Sequence, residues 1–447
     1  MEYINYVKQA PVQGVTGLWG GTQGALTSGS ITYEAGTFTG DRGVFVGQFA
    51  AGWPTPNPQP MQYINITSTG NAATFGNYGS NQYRHTTRCA SNGSRGLIGG
   101  GQKQHPGWDG SNEISYITTS STGNASDFGN LSTARQCGGA GSNGERAVFS
   151  GGNKQLDTGS GFVPTYSQID YVTIDTTGNA TDFGDMDRPA GIGGDCGDGI
   201  YACWAGGRYS PYSGGAATNR IERVNVFTTG NGVDFGNLTS VRYNGPTGIH
   251  GATRGCYGGG TTPSSPWTSN EIQYITIQSP GNTTDFGDLS QQRQQMGGVS
   301  NLTRGVFGGG TSPQNVDTMD YITIANTGNA TDFGNLDKTL IHTSGLSGSA
   351  SDEKLKDNIT PIEDSISKVS SISGNTFNWN EKSEFEGKLD TGVIAQEVEK
   401  LGLPGIVEDQ ESGYKIVHYY KLVPLLIESV KELSSRVQIL EQTIIDK

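Results

Sequence analysis

Charge is scarce along most of this chain. Its 447 residues include 42 acidic and 29 basic side chains, of which only 24 and 18 fall before residue 351. Hydrophobic residues make up 33% and the mean hydropathy is −0.46. So dilute a mixture excludes long amphipathic helices from the first part of the chain. The five cysteines, Cys89, Cys137, Cys196, Cys203 and Cys256, are odd in number and form no CxxC pair, which excludes a disulfide framework and a zinc site and leaves small buried residues. The five histidines, His85, His105, His250, His342 and His418, share no metal-binding spacing, so no metal or other cofactor is expected. No apolar run is long enough to cross a bilayer, and Met1–Tyr6 lacks the basic and apolar regions of a signal peptide. The expectation is therefore synthesis in a cytoplasm without Sec export, and no membrane insertion. A net charge of −13 argues against a nucleic-acid partner, because such proteins present a basic face to phosphate.

Glycine is what the chain has instead. Its 70 glycines are more than twice the usual share of about 7%, a composition for many short strands joined by tight turns. Thr-Gly-Asn or a close variant recurs with its glycine at Gly70, Gly123, Gly178, Gly230, Gly281 and Gly328, at spacings of 53, 55, 52, 51 and 47 residues. Ahead of it stands a strand-like segment such as Tyr171-Val172-Thr173-Ile174, and after it comes Phe-Gly, as in Asp127-Phe128-Gly129-Asn130. A second motif keeps the same period: Arg42-Gly43-Val44-Phe45, Arg95-Gly96-Leu97-Ile98, Arg146-Ala147-Val148-Phe149, the variant Ile200-Tyr201-Ala202-Cys203-Trp204, Arg254-Gly255-Cys256-Tyr257 and Arg304-Gly305-Val306-Phe307. Each runs into a glycine pair or triplet, save the first, which has only Gly47. Strand, diglycine, variable loop and Tyr-bearing strand make the layout of a kelch-like blade, and a period near 50 suits four-stranded propeller blades. The predicted fold is mainly β, a kelch-like β-propeller over residues 1–343, with a trimeric β-spike or β-solenoid as the rival. Six full units are present. Residues 8–41, with Gly17–Gly21 and Ser30–Tyr33, leave six or seven blades open. Closure is expected by pairing N- and C-terminal strands, Met1–Tyr6 and the segment after Asp332–Leu336 being incomplete units.

The repeat offers little chemistry. Thr-Gly-Asn-Ala-Thr-Asp-Phe-Gly supplies oxygens that could hold a hard cation, but it lacks the dense acidic spacing of a calcium loop and reads as a tight turn. What varies lies after the diglycine, in loops of unequal length that carry aromatics and prolines. Trp108, Tyr166, Tyr212 and Trp267 are the candidate binding residues, for a glycan or a protein surface, because recognition concentrates on loops held by a rigid scaffold.

At Ser351 the composition changes. The last 97 residues hold 18 acidic and 11 basic side chains, which marks a domain boundary, and Ser344–Ala350 has the make-up of a flexible linker. Thr360-Pro361-Ile362-Glu363 reads as a capping box opening a short helix, Thr376–Asn380 as a strand, and Ile394–Leu401 as a second helix. Val423, Leu426, Val430, Leu433, Val437, Leu440 and Ile444 step by 3, 4, 3, 4, 3, 4, a heptad seam for a coiled coil over about 423–447. Val or Ile at a with Leu at d favours two strands in isolated peptides.

Three motifs stand in order here: Ser351-Asp352-Glu353-Lys354-Leu355-Lys356-Asp357-Asn358-Ile359, Gly392–Val398, and Tyr419–Leu426. This segment resembles the intramolecular chaperone domain of phage endosialidases and tail spikes. The resemblance implies a small α+β domain over 351–447 that forms a homotrimer, assists folding of what precedes it, and cuts itself off at Ala350-Ser351. Ser351 would be the nucleophile and Lys356 the base, with Lys354 as the rival base; Ser-Lys pairs are a known variant of the serine-protease arrangement. The implied protein is a bacteriophage tail-fibre or spike component of the virion, made in the host cytoplasm and assembled with other tail proteins. Two alternatives are a glycan-depolymerase propeller and a purely structural virion protein with a clamp that does not cut. A sialidase-type propeller would show Asp-box repeats, and none appears.

Overall fold

The computed structural model describes residues 40–49, 59–78, 84–103, 109–153, 165–191, 193–209, 216–251, 253–348, 360–381, 387–409, 413–417 and 422–445. The chain divides into two compact units, Met1–Leu355 and Lys356–Lys447.

The first unit is a six-bladed β-propeller. Blade 2 runs from the axis outward as Arg88–Ser91, Arg95–Gly99, Glu113–Thr118 and Ser126–Asn130, all antiparallel. Blades 3 to 6 repeat the order, their inner strands being Gly139–Ser142, Gly194–Gly197, Thr247–His250 and Gly297–Ser300. In blade 1, Arg42–Phe49, Gln59–Asn65 and Ala73–Tyr78 form the outer three strands, and Leu340–Gly348, from the far end of the unit, supplies the inner one. Each inner strand touches the next around the ring, blade 6 meeting blade 1. The six-or-seven alternative resolves to six, and spike and solenoid are set aside.

Two expectations change here. Closure pairs Leu340–Gly348 with Arg42–Phe49; Met1–Tyr6, Gly17–Gly21 and Ser30–Tyr33 lie outside the described residues. Ser344–Gly348, expected as a flexible linker, is part of the closing strand. Its small residues answer to crowding at the axis: a Cβ on Gly345 would stand 2.2 Å from the Gly298 carbonyl oxygen, and one on Gly348 would stand 2.3 Å from Thr119 Oγ1.

The core is divided into six wedges, each between two neighbouring blades. Between blades 2 and 3, for example, Leu97, Ile114 and Phe128 pack against Ala147, Phe149 and Val172. Aligned sheet faces bury their alternate side chains in this way. The recurrent Phe arrives through a β-bulge. Ile114 pairs with Gly129 and Ser115 with Asp127, so Phe128 is the extra residue, turned into the wedge.

The Thr-Gly-Asn turn fastens each blade to the one before it. Gly123 N donates to Phe75 O at 2.8 Å, and Asn124 Oδ1 accepts from Asn77 N at 3.0 Å. The asparagine contact recurs in Asn179 with Asn130, Asn231 with Asp185, Asn282 with Asn237, Asn329 with Asp288 and Asn71 with Asn335. Six clasps thus cover six outer edges that would otherwise expose backbone donors and acceptors. The glycine after each Phe leaves room for the clasp: Gly129 has φ +150°, and a Cβ there would stand 2.1 Å from Gly178 O.

A second ring of contacts runs the other way. Arg95 lies over Tyr116 with 4.6 Å from guanidinium carbon to ring centroid, and its Nη1 donates to Ile174 O of blade 3 at 2.9 Å. Arg42, Arg146, Arg254 and Arg304 do the same. In blade 4 the two residues trade places: Arg223 occupies the tyrosine position, lies 4.1 Å over Tyr201, and donates to Ile277 O. The contact survives because only the pairing matters, a cation over a ring.

Four blades also bury an arginine ahead of the inner strand. Arg135 meets Asp170 at 2.9 Å with both side chains 0% exposed, and Asp170 also accepts from Ser132 Oγ. Arg293 with Asp320 repeats this, while Arg84 and Arg242 use Glu113 and Glu271. Aspartate stands one residue before the tyrosine and glutamate three before it, the longer side chain covering the greater distance.

Gly129→Ala should lower stability by about 2–4 kcal/mol, through a disfavoured φ and a displaced clasp. Gly123→Ala, with nothing within 4 Å of its Cβ position, should change it by less than about 1 kcal/mol. Thermal melting of both variants checks the pair. Asp170→Ala should cost about 3–5 kcal/mol, because it leaves Arg135 buried without its counter-ion; chemical denaturation reads this.

Candidate functional site

The second unit is built on a small apolar cluster of Val398, Leu401, Ile406, Leu422 and Leu425. Around it stand helix Ser365–Ser370, the hairpin Gly374–Asn378 with Leu389–Val393, helix Ala395–Glu399, the hairpin Val407–Asp409 with Lys415–Val417, and helix Val423–Ile445. The expected capping box does not form. The first helix begins at Ser365 after Asp364, which is left-handed and makes no side-chain cap. The cap comes from elsewhere: Glu432, on the last helix, accepts from Ser365 Oγ at 2.8 Å and from Ile366 N at 3.2 Å. A carboxylate satisfies orphan N–H groups at a helix start wherever it comes from. The Ile366 amide, with Ser365 behind it, holds the Glu432 carboxyl below its ordinary value. The contact is therefore present at neutral pH and fades as acid protonates the group.

The last helix has two faces. Leu422 and Leu425 are buried in the unit's own core, whereas Val423, Leu426, Val430, Leu433, Val437 and Leu440 are 44–63% exposed. Ile444 continues the helix, and its side chain lies outside the described residues. Leaving six aliphatic side chains at heptad spacing in water costs free energy that packing against further copies of the helix would recover.

Ala350, Ser351, Lys356, Trp108 and Tyr212 lie outside the described residues. Tyr166 is half-buried and is the second residue of strand Thr165–Thr173, opposite Gly152, so it belongs to blade 3 rather than to a loop tip. Trp267 is exposed, in a blade 5 loop pinned by Thr262, whose N donates to Trp267 O and whose Oγ1 donates to Pro266 O. The two aromatics stand on different blades. Among the described residues there is no group of three His, Cys, Asp or Glu side chains that could hold a metal, and no helix is long and apolar enough to cross a membrane.

The sequence reading missed a cavity of about 410 Å³ on the propeller axis, to which all six inner strands contribute. Arg88 and Asp195 line it, with His250, His342 and Gln136. Burial pushes both histidines down to about 4 and raises the Asp195 carboxyl, against the pull of Arg88. Arg88, Asp195, His250 and His342 stand where the other blades carry different residues, so the period gives no signal for them.

Residues 351–408 match the family described as chaperone of endosialidase. The long tail fiber proteins Gp37 of Enterobacteria phage K3 and Enterobacteria phage T2 are each 36% identical to this chain over 99 residues. The match covers 20% of this chain and only 8% and 7% of theirs. The second unit thus carries a chaperone-of-endosialidase domain.

Leu433→Asp and Val430→Asp should each lower the full chain to monomer mass, read by sedimentation. Leu425→Asp, at a fully buried position, should instead unfold that unit, since an unpaired charge in its core costs several kcal/mol.

Proposed function

From a chain that joins a six-bladed propeller to a chaperone-of-endosialidase domain, we propose a bacteriophage tail-fibre component of the virion. Its propeller would recognise the host surface, and its C-terminal domain would hold three copies together while the propellers fold. The observation that carries this reading is the half-exposed heptad face of helix Val423–Ile445, in a segment similar to phage long tail fibre proteins. Order along the chain supports it. The propeller cannot close until Leu340–Gly348 has been made, and the chaperone domain begins immediately afterwards. Non-local strand pairings of this kind form slowly and leave edges exposed meanwhile. Association through the C-terminus raises the local concentration of partner domains during that interval.

The same reading assigns Ser351 as nucleophile and Lys356 as base for one hydrolysis of the Ala350-Ser351 bond, consuming a single water. The bond follows the closing strand by two residues, since the strand ends at Gly348, so a cut there leaves the ring whole. Release of the clamp then makes assembly irreversible. Other tail proteins would be the partners of the trimer.

Intact-mass measurement of the freshly expressed chain tests this reading, beside Ser351→Ala and Lys356→Ala. Wild type should lose about a fifth of its 47.1 kDa and both variants should keep full length. Full-length wild type that sediments as a trimer would leave the clamp as an association device without peptidase activity; full-length monomer would overturn the assembly reading as well.

A further inference from the structure

The axial cavity is unused by anything described so far, and its lining is unusual. Arg88 is buried and held across the axis, with Nε donating to Gly138 O at 3.2 Å and Nη2 to Gly193 O at 2.8 Å, carbonyls of blades 3 and 4. Asp195 Oδ2 accepts from Ala140 N at 2.9 Å. Both charges line the same space, yet among the described residues no ion pair joins them. Gln136 is 1% exposed, and neither its Nε2 nor its Oε1 has a partner; Thr343 Oγ1, also buried and lining the cavity, has none either. Buried polar groups are nearly always paired, because an orphan loses its hydration without replacement. Three orphaned atoms beside an unjoined cation and carboxylate describe a site whose hydrogen-bond partner comes from outside the chain.

We propose that this cavity binds a hydroxyl-rich ligand, a terminal sugar unit of a saccharide. A hydroxyl both donates and accepts, so neighbouring hydroxyls can take hydrogen bonds from Arg88 and the Gln136 amide nitrogen while giving them to Asp195 and the Gln136 oxygen. The charged side chains of the lining are Arg88, Arg208 and Asp195. Burial keeps the two histidines neutral at physiological pH. Ile249, Val299 and Leu346 supply apolar surface for the C–H faces of a ring. The volume of about 410 Å³ lies within the ~300–1,000 Å³ of ordinary small-molecule sites. The inference rests on the reading that the propeller recognises a cell surface, and places that recognition on the axis.

Saturation-transfer NMR on the full chain tests it, with D-glucose, D-galactose, D-mannose and N-acetyl-D-glucosamine as probes. At least one probe should bind wild type, and Gln136→Met should weaken it by about tenfold or more through lost hydrogen bonds. The melting temperature of this variant should not fall, because it removes unpaired groups and keeps the volume. Thr343→Val gives the same reading if Gln136→Met melts early. Binding unchanged in both cavity variants, or no probe bound by wild type, overturns the proposal, the axis then being a water-filled channel. Attachment of labelled wild type to bacterial cells separates the two ideas. Attachment without sugar binding sinks the cavity alone, and absence of both sinks surface recognition with it.

Discussion

A four-stranded sheet cannot finish itself. Its outer strand carries donors and acceptors with no partner, and its faces are apolar on both sides. Here each outer strand is completed by the Gly-Asn turn of the next blade, Gly123 and Asn124 covering Phe75 and Asn77, and so on around the ring to Gly70 and Asn71 on Phe333 and Asn335. Each face is completed by a neighbour's side chains. Blades are therefore stable only as a closed set, and closure is the constraint to which the other features answer. The bulged Phe, the glycine behind it and the arginine stacked on tyrosine are all parts of the seam between blades.

Closure also explains why the two units belong to one chain. The strand that completes blade 1 is the last of its unit to be made, and the domain that follows presents an aliphatic helix face suited to gathering copies. A ring that is incomplete until its last residues emerge is exposed to mispairing with its neighbours. A domain that fixes where those neighbours stand answers that hazard. Within the C-terminal domain, Glu432 shows the same economy on a smaller scale, since one carboxylate from the last helix caps the first.

The repeat was legible because it is local. Thr-Gly-Asn, Phe-Gly and Arg-Gly-Val-Phe recur at nearly fixed spacing, and their turn and strand propensities point the same way as the final fold. Ser344–Gly348 was misread because glycine and serine suit two opposite situations, a flexible joint and a strand with no room for side chains; the difference lies in Gly298 and Thr119, which are distant in sequence. The capping box at Thr360–Glu363 failed for a related reason: a tertiary partner outweighed a local one. The helix beneath the heptad seam was legible, since helical period is again a local property.

The sequence by itself determined the period of the repeat, the mainly β class, the change of character at Ser351 and the aliphatic stripe of the last helix. Each follows from residues within a few turns or strands of one another. Only the tertiary structure decided which strand closes the ring, which arginine meets which carboxylate, and that Arg88, Gln136 and Asp195 share one cavity. Those residues come from three different blades, and nothing short of a closed ring brings them to a common axis.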